Sequence, residues 1–386
     1  MTAIITKPGT TEKLRILSAD AQYDLACACN QNGEQARRAG ADGKWIYPVS
    51  LPNGGKSVLF KTLLSNSCAM DCRYCPLRDE MDVRRCTLTT DEVVRAFLGY
   101  LHAGKVHGMF LSSSVIGTAN ATMQRLIDIA ESLRLKHRFR GYIHLKIIPG
   151  ASNEAIEKAV SLASAVSLNI ETPGAEHFSK LSARKDYMHD IIAPMKLISR
   201  LTQKGERYDK VKQTTQFVVG AAGENDADIL RYSQRLYDGL GMQQVFFSAY
   251  QRGLGNATLP GESKLDSNAL RIREHRLYQS DYLLRKYAFT ASELPLEKDG
   301  YLSLTTDPKL SWALLHDNEF PVDINSASKE SLLRVPGFGP LTVNRILRRR
   351  KQAALRSLLD VPAPAAALER AAGFVCFGSA RPVLFT

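Results

Sequence analysis

Short apolar runs alternate with longer amphipathic stretches through the middle of the chain. The apolar runs are rich in β-branched and aromatic residues and lie at 57–64, 107–113, 142–148, 165–171, 214–220 and 244–250. Helical periodicity occupies the stretches between them, at 89–101, 120–136, 152–163, 187–204 and 225–239. Strands separated by helices of this length predict parallel βαβ units. Right-handed crossovers would close six strands and five helices into a barrel or a partial barrel, an α/β fold.

A loop with three cysteines follows the first predicted strand. Cys68, Cys72 and Cys75 have the spacing CxxxCxxC. Three thiolates from one loop can hold three irons of a [4Fe–4S] cube and leave the fourth iron open to another ligand. A structural zinc site needs four ligands, and neither a second CxxC nor a close His pair follows. A redox pair of Cys72 and Cys75 would leave Cys68 without a role, so the spacing favours the cluster over zinc or unligated thiols.

Four further cysteines are spread along the chain: Cys27, Cys29, Cys86 and Cys376. They could ligate an auxiliary cluster, but they are not tightly grouped, and a free cysteine commonly serves as a small buried apolar residue. Iron content separates the two hypotheses, since about four irons per chain would exclude a second cubane cluster.

Length and composition restrict the class of protein. The 386 residues exceed one ordinary domain, and 44% hydrophobic with 23% charged residues is typical of a globular chain. The sequence shows neither an apolar leader nor a run approaching eighteen apolar residues, so we expect a soluble cytoplasmic protein without a membrane partner. An odd number of irregularly spaced cysteines fits a reducing compartment.

Positive charge is concentrated at the C-terminal end. The whole chain carries a formal net charge of +12, and residues 331–386 contain nine Lys or Arg against Asp360 and Glu369, a balance of +7. Such a concentration indicates a surface that binds a polyanion, with nucleic acid favoured over membrane, or a merely solvated helix face.

The same end carries a two-helix motif. A helix near 332–335 is followed by the turn Val335–Gly339 and by a second helix to Leu347. This looks like a helix-hairpin-helix, which is found in many DNA repair and replication proteins. Gly337 and Gly339 keep the turn free of side chains, so backbone amides can hold a phosphate. Arg345, Arg348 and Arg349 would add nonspecific attraction, although some such motifs bind proteins instead.

These patterns divide the chain into four predicted segments. They are an N-terminal helical extension (1–50), a barrel (51–255), a helical connector (256–315) and a small all-α nucleic-acid-binding module (316–386).

Polar residues at the predicted strand ends are the candidates for a site, because barrel active sites gather at the carboxyl ends of strands. Asn169 and Glu171 share one face at the end of the fourth strand. His144 and Lys146 share the inner face of the third, where they either bind a ligand or form a buried hydrogen-bonded pair. Gly220 ends the fifth strand, in a segment that could approach a ligand or form a plain turn.

The cysteine loop resembles the signature of the radical SAM superfamily. The chain over residues 12–386 resembles a family of DNA modification or repair radical SAM proteins that join such a barrel to a C-terminal helix-hairpin-helix. The stretches that carry this resemblance are Gly108–Ser113, Gly141–Ser152, Ser167–Pro173, Thr214–Glu224 and His275–Gln279.

The resemblance implies a partial TIM (β/α)6 barrel in which the open iron chelates S-adenosylmethionine (SAM). It implies that Tyr74 packs against the cluster and adenine, and that Asn169 and Glu171 hold the ribose hydroxyls or the amino group. Ser112 and Ser113 stand where the superfamily usually has a Gly-Gly-Glu-like stretch. This chain departs from that pattern, so hydroxyls or carbonyls would have to accept the hydrogen bonds of the SAM amino group.

The sequence therefore leads to the hypothesis of a radical SAM enzyme that abstracts hydrogen from a nucleotide in DNA. A low-potential donor such as flavodoxin or ferredoxin would reduce the cluster. A base inside a duplex is out of reach, so the target should be flipped, damaged or single-stranded. The alternatives are an RNA-modifying enzyme and a non-catalytic DNA-binding repair accessory protein with a structural or redox-sensing cluster.

Overall fold

The structure is a computed structural model that describes residues 8–21, 43, 45–50, 56–263 and 267–378. It divides into two units, one within residues 1–224 and 235–271 and the other within 225–234 and 272–386. Cys27 and Cys29 lie outside the described residues.

A seven-stranded sheet forms the frame of the first unit. Its strands are β1 (Ile46–Ser50), β2 (Lys56–Leu63), β3 (Gly108–Ser112), β4 (Tyr142–Lys146), β5 (Ala165–Ser167), β6 (Lys212–Val219) and β7 (Gln244–Ala249). They lie side by side in chain order, with β1 antiparallel to β2 and β2 to β7 parallel. Among the described residues, β1 and β7 are the two edges of an open barrel, and the six predicted parallel strands are confirmed.

The additional strand β1 was not predicted. It contains Pro48, which cannot donate to a sheet ladder and therefore argues against a strand in the sequence. The structure accommodates Pro48 because β1 is an edge strand, where one side of the backbone needs no partner in the sheet.

Helices follow the strands at the predicted places, and the short helices at 175–181 and 260–263 were not predicted. They are α1 (Thr10–Asp20), α2 (Thr90–His102), α3 (Ala119–Glu131), α4 (Asn153–Leu162), α5 (Ala175–Leu181), α6 (Ala193–Leu201), α7 (Asp226–Leu240), α8 (Pro260–Ser263) and α9 (Ser267–Lys286). The predicted capping box opens α2, since the Thr89 side chain accepts from the amide of Glu92 and the Glu92 carboxylate accepts from the amide of Thr89. π-helical turns occupy Ser132–Lys136 and Tyr187–Ile192.

The two faces of the sheet differ in polarity. Met109, Leu111 and Ile143 point to one face and are fully buried. The alternate positions on the other face carry polar side chains, including His144 and Lys146. The polar face is therefore the inner face of the open barrel, as the alternation in β4 predicted.

The second unit has its own apolar core beneath the two-helix motif. Its further elements are α10 (Pro308–Leu315), α11 (Lys329–Arg334), α12 (Pro340–Arg349), α13 (Ala365–Ala371) and the parallel strands β8 (Val322–Asp323) and β9 (Val375–Cys376). Leu332, Phe338, Val343 and Ile346 are among the residues buried in this core. The expectation of an all-α module was therefore wrong in this detail. The two strands were not predicted because a strand of two residues has no alternating pattern.

Candidate functional site

The cysteine loop begins directly after β2, at the carboxyl edge of the sheet. Cys72 is buried, and Cys68 and Cys75 are partly buried. Backbone amides point at two of the sulfurs: Met70 N lies 3.4 Å from Cys68 Sγ, and Leu77 N lies 3.4 Å from Cys75 Sγ. Amide donors of this kind stabilise sulfur in its thiolate form.

One side of the loop is fixed by the segment that follows α5. The Asp71 carboxylate accepts a hydrogen bond from the Ser182 hydroxyl and, at 2.8 Å, from the amide of Ala183. The Arg184 guanidinium donates to the carbonyl of Ala69 at 2.7 Å. These contacts bind the segment to the loop at both ends of the span between the first two cysteines.

The other side is fixed by the segment after β7. The amide of Asn256 donates to the carbonyl of Arg73 at 2.7 Å. The Arg78 side chain donates at 3.1 Å to the carbonyls of both Cys75 and Leu254. The loop is therefore held between two segments that are distant in sequence, which gives its three sulfurs a defined arrangement.

The three cysteines and the strand ends surround a cavity of about 140 Å³. The sequence analysis predicted eight cofactor-binding residues, and six of them line this cavity: Tyr74, Ser112, Ser113, Lys146, Asn169 and Glu171. Their side chains supply hydroxyl, amide, ammonium and carboxylate groups beside the sulfurs. A ligand with an amino group, a carboxylate and hydroxyls would find partners for each in this cavity.

Glu171 has the most constrained geometry of these residues. Its φ of +64° lies in the left-handed region, which is costly for a residue with a side chain. Backbone hydrogen bonds on both sides hold it there, from its amide to the carbonyl of Gln216 at 3.0 Å and from the amide of Val218 to its carbonyl at 2.7 Å. The Asn169 amide lies 3.5 Å from the Glu171 carboxylate. This turn directs a buried carboxylate into the cavity.

Tyr74 is bound to that carboxylate. Burial, the negative charge of Glu171 and a hydrogen bond to Glu171 raise the pKa of Tyr74 well above its usual value. The hydroxyl therefore stays protonated and donates to the carboxylate. The ring packs against a small apolar cluster that includes Val218 and Tyr250.

His144 and Gly220 do not line the cavity. His144 is buried, with Nε2 at 2.9 Å from the Ser167 hydroxyl and its ring at 4.4 Å from that of Phe110. Gly220 has a φ of +90°, and its amide donates to the buried Glu224 carboxylate. These contacts correspond to the plainer alternatives, a buried hydrogen-bonded residue and a strand-to-helix turn.

Lys185 and Asp20 also line the cavity, and the sequence analysis did not predict them as site residues. Lys185 Nζ lies 3.0 Å from Cys72 Sγ. The Asp20 carboxylate, at the end of α1, accepts from the Asn66 side chain at 2.7 Å. Neither residue stands at the end of a parallel strand, so the rule that selects strand ends could not identify them.

The charge of the site depends on whether the cysteine thiols are protonated. Burial raises the pKa of Cys72, and Lys185 opposes that shift. Burial and the neighbouring Cys72 raise the pKa of Cys75 to about 12. Burial disfavours the Lys185 ammonium, but the Cys72 thiolate and Glu171 outweigh this effect and raise the pKa of Lys185. Metal binding to such thiols would release their protons.

The donor set suits an iron–sulfur cluster. Three thiolates, with hydrogen-bond donors beside their sulfurs, are what a cubane cluster with one open iron needs from a protein. Within the part of the chain that the structure describes, no three His, Cys, Asp or Glu side chains group as ligands of one metal ion. A cubane poses a different requirement, because each cysteine binds a different iron.

The two-helix motif of the second unit has a tightly packed turn. Gly337 has a φ of +83°, and a Cβ at this position would lie 2.2 Å from the carbonyl oxygen of Ala367 in α13. Lys309 Nζ donates to the carbonyl of Phe338 at 2.6 Å, and burial lowers the pKa of Lys309 to about 7. Gly339 precedes Pro340, the first residue of α12. The turn is therefore fixed from within the unit.

The arginines of this motif fall into two groups. Arg345, Arg348 and Arg349 are exposed on α12. Arg350 donates to the carbonyl of Ala327 at 2.7 Å, and the Arg334 guanidinium lies 3.7 Å from the centre of the Phe289 ring. The last two are occupied within the unit, so the charge available at the surface is smaller than the sequence count.

Among the described residues, no helix is both long and apolar enough to cross a membrane.

Comparison with known proteins identifies a part of the chain that includes the cysteine loop. Residues 62–236 match the model of the Radical SAM superfamily. No curated protein matches the chain.

Three solved structures are similar over part of their length, each with a TM-score of 0.44. HydG, a maturase of the [FeFe]-hydrogenase, is 13% identical over 81% of this chain and 79% of its own. HydG from Carboxydothermus hydrogenoformans is 16% identical over 57% of this chain and 50% of its own. Methylornithine synthase (PylB) is 16% identical over 57% of this chain and 62% of its own.

The match begins near the end of β2 and extends into α7, so it includes the cysteine loop and every residue that lines the cavity except Asp20. Residues 62–236 therefore form a radical SAM domain, the domain of enzymes whose cofactors are a [4Fe–4S] cluster and S-adenosylmethionine.

Proposed function

We propose that this enzyme acts on a nucleotide in DNA, in modification or repair. The proposal depends on one observation, that the second unit has a glycine turn and three exposed arginines on α12. The cofactor site belongs to the first unit. One chain thus combines radical chemistry with a module suited to a polyanionic substrate.

In this proposal Cys68, Cys72 and Cys75 bind the cluster. All three cysteines line one cavity, and each sulfur has a hydrogen-bond donor within 3.4 Å. With three cysteine ligands, one iron of the cubane stays open. The cavity beside that position would hold SAM, and together the two groups would supply hydrogen abstraction from the substrate by a 5′-deoxyadenosyl radical.

The residues around the cavity have distinct roles toward SAM. The Glu171 carboxylate would accept hydrogen bonds from the ribose hydroxyls or the amino group, with Asn169 and Tyr74 orienting it. The hydroxyls of Ser112 and Ser113 would accept from the amino group, and the Lys146 ammonium would pair with the carboxylate. Such charge-assisted hydrogen bonds are the strongest polar contacts that a site of this kind offers.

Contact with DNA would begin at the turn between α11 and α12. The first amides of a helix have no carbonyl partner within it, and the helix dipole favours an anion there. Gly337 and Gly339 keep side chains away from this end of α12. The exposed arginines Arg345, Arg348 and Arg349 would add attraction that positions the backbone without reading sequence.

The chemistry also restricts the form of the DNA. A radical generated at the inner face of the barrel cannot reach a base stacked within a duplex. The target is therefore a flipped, damaged or single-stranded nucleotide. The cluster would receive its electron from an external low-potential donor such as flavodoxin or ferredoxin.

The formation of 5′-deoxyadenosine tests this function. The anaerobically reconstituted enzyme would receive dithionite and SAM, with single-stranded DNA, intact duplex, damaged duplex or tRNA. We expect the highest yield with single-stranded or damaged DNA. A yield stimulated by tRNA alone would redirect the proposal to RNA, and DNA binding without any 5′-deoxyadenosine would indicate an accessory protein.

Glu171→Gln is expected to weaken SAM binding. The amide keeps the shape of the side chain but removes the charge, and the loss of a charge-assisted hydrogen bond costs about 1.5–3 kcal/mol, or roughly ten- to a hundredfold in affinity. Anaerobic equilibrium dialysis against labelled SAM would measure this change. Glu176→Gln, an exposed position on α5, is the matched control. An unchanged affinity in Glu171→Gln would remove Glu171 from the SAM site.

Replacing Arg345, Arg348 and Arg349 with alanine is expected to reduce DNA affinity for all sequences alike. Each lost phosphate contact lowers the slope of log K against log salt by about 0.9, so the slope should fall by roughly two to three. Fluorescence anisotropy across a salt series would measure it. Alanine at the exposed Arg95, Arg125 and Arg200 of the first unit removes the same charge as a control. Equal loss in both triple variants would show that net charge alone matters.

A further inference from the structure

The contact between Lys185 and Cys72 has no part in the SAM-binding scheme. Lys185 Nζ lies 3.0 Å from Cys72 Sγ. The Glu171 carboxylate and the Cys68 thiolate are near enough to act on the same ammonium. Among the described residues, the hydrogen-bond donors to the sulfurs of Cys68 and Cys75 are the backbone amides of Met70 and Leu77. Cys72 thus differs from the other two in having a charged donor.

Contacts on both sides fix the position of Lys185. Before it, Ala183 is bound to Asp71 of the cysteine loop, and Arg184 is bound to the loop carbonyl of Ala69. After it, the Asp186 carboxylate accepts from the amide of His189 at 2.6 Å and caps the π-helical turn. The ammonium is therefore brought to the sulfur by a backbone that is itself bound to the cysteine loop.

A fixed charge at this place affects the two oxidation states of a cluster unequally. One-electron reduction of a bound cluster would add one negative charge, which would be shared by the iron and the sulfur ligands. A hydrogen bond and a positive charge on a ligating sulfur stabilise the more negative state more strongly. Removing them should make reduction harder.

We propose that Lys185 is a positioning residue that raises the reduction potential of the cluster through its hydrogen bond to Cys72. The inference rests on the proposed assignment of Cys72 as a cluster ligand. It assigns to this lysine a role in electron transfer from the donor, separate from the binding of SAM or of nucleic acid.

A redox titration followed by electron paramagnetic resonance (EPR) tests the proposal without SAM or DNA. Lys185→Met should decrease the ratio of reduced to oxidised cluster at a fixed potential by at least tenfold, which is about 59 mV for a one-electron couple. Lys185→Arg keeps a charged donor and should stay near the wild type. Lys204→Met, at an exposed position in the first unit, is the control for loss of charge. Equal potentials in Lys185→Met and the wild type would overturn the proposal.

A second measurement begins with the unaltered enzyme, so its main result does not require a variant to assemble the cluster. The protein is labelled with ¹⁵N-lysine, the cluster is reduced, and pulsed EPR detects nitrogen coupled to it. We expect a lysine coupling that disappears in Lys185→Arg. A reduced cluster without this coupling overturns the role of Lys185 alone. A cluster that survives in Cys72→Ser with its wild-type potential overturns the assignment of Cys72 as well.

Discussion

Cys72→Ser is expected to abolish cluster binding and, with it, the formation of 5′-deoxyadenosine. A serine oxygen is a harder ligand than a thiolate and binds iron in these clusters poorly. Cys72 is the buried cysteine of the three, and its replacement also leaves the Lys185 ammonium without its sulfur partner. Iron per chain should fall from about four to well below one after anaerobic reconstitution. Chemical iron analysis and product chromatography would follow the two losses together.

Cys86→Ser and Cys376→Ser are the matched controls. Neither residue lines the cavity, and the Cys376 sulfur lies 3.9 Å from the carbonyl oxygen of Pro321 in the second unit. Both variants should keep the iron content and the product yield of the wild type. A loss of iron in either control would support the hypothesis of an auxiliary cluster. A full iron content in Cys72→Ser would show that Cys72 is not a ligand.

The strands could be predicted because they carry repeated patterns. Alternating or continuous apolar runs separated by helices identified β2 to β7 to within a few residues, and the capping box at Thr89 marked the start of α2. β1 was missed because its proline contradicts the usual strand composition. The C-terminal strands were missed because two residues are too few for a period.

The site could be predicted where its residues stand at strand ends. Asn169, Glu171 and Lys146 line the cavity because a parallel sheet brings its carboxyl ends to one edge. Lys185 reaches the same place from a segment after α5, and Asp20 reaches it from α1. Their positions follow from tertiary contacts of the cysteine loop, and no local pattern in the sequence encodes those contacts.

Fewer basic side chains are available at the C-terminal surface than the charge count suggests. The count gives every basic residue after position 330 the same weight. Arg350 donates to two carbonyls of its own unit, at Ile324 and Ala327, and Arg334 forms an ion pair of 2.8 Å with Glu293. The exposed arginines of α12 therefore make a narrower surface than the charge count indicated, and this is the surface that the proposed DNA contact uses.

Gly337→Val is expected to have the second large effect, on the stability of the two-helix motif and on DNA affinity together. The φ of +83° places any side chain in the left-handed region, at a cost of about 1–2 kcal/mol. The added Cβ would also lie 2.2 Å from the backbone oxygen of Ala367, and overpacking of this kind costs a further 1–3 kcal/mol or so. Because the obstructing atom belongs to the backbone of α13, it cannot move aside as a flexible side chain would.

Gly339→Ala provides the comparison within the same turn. Its φ of −106° is open to any residue, and the described atom that its new Cβ would approach is the Tyr287 hydroxyl, at 3.1 Å. Denaturant unfolding should therefore separate the two variants by several kcal/mol, and the loss of DNA affinity should follow the same order. SAM cleavage without DNA should persist in both, because the cysteine loop belongs to the other unit. If Gly337→Val lost stability but bound DNA as the wild type does, the turn would be structural and the proposed phosphate contact would be wrong.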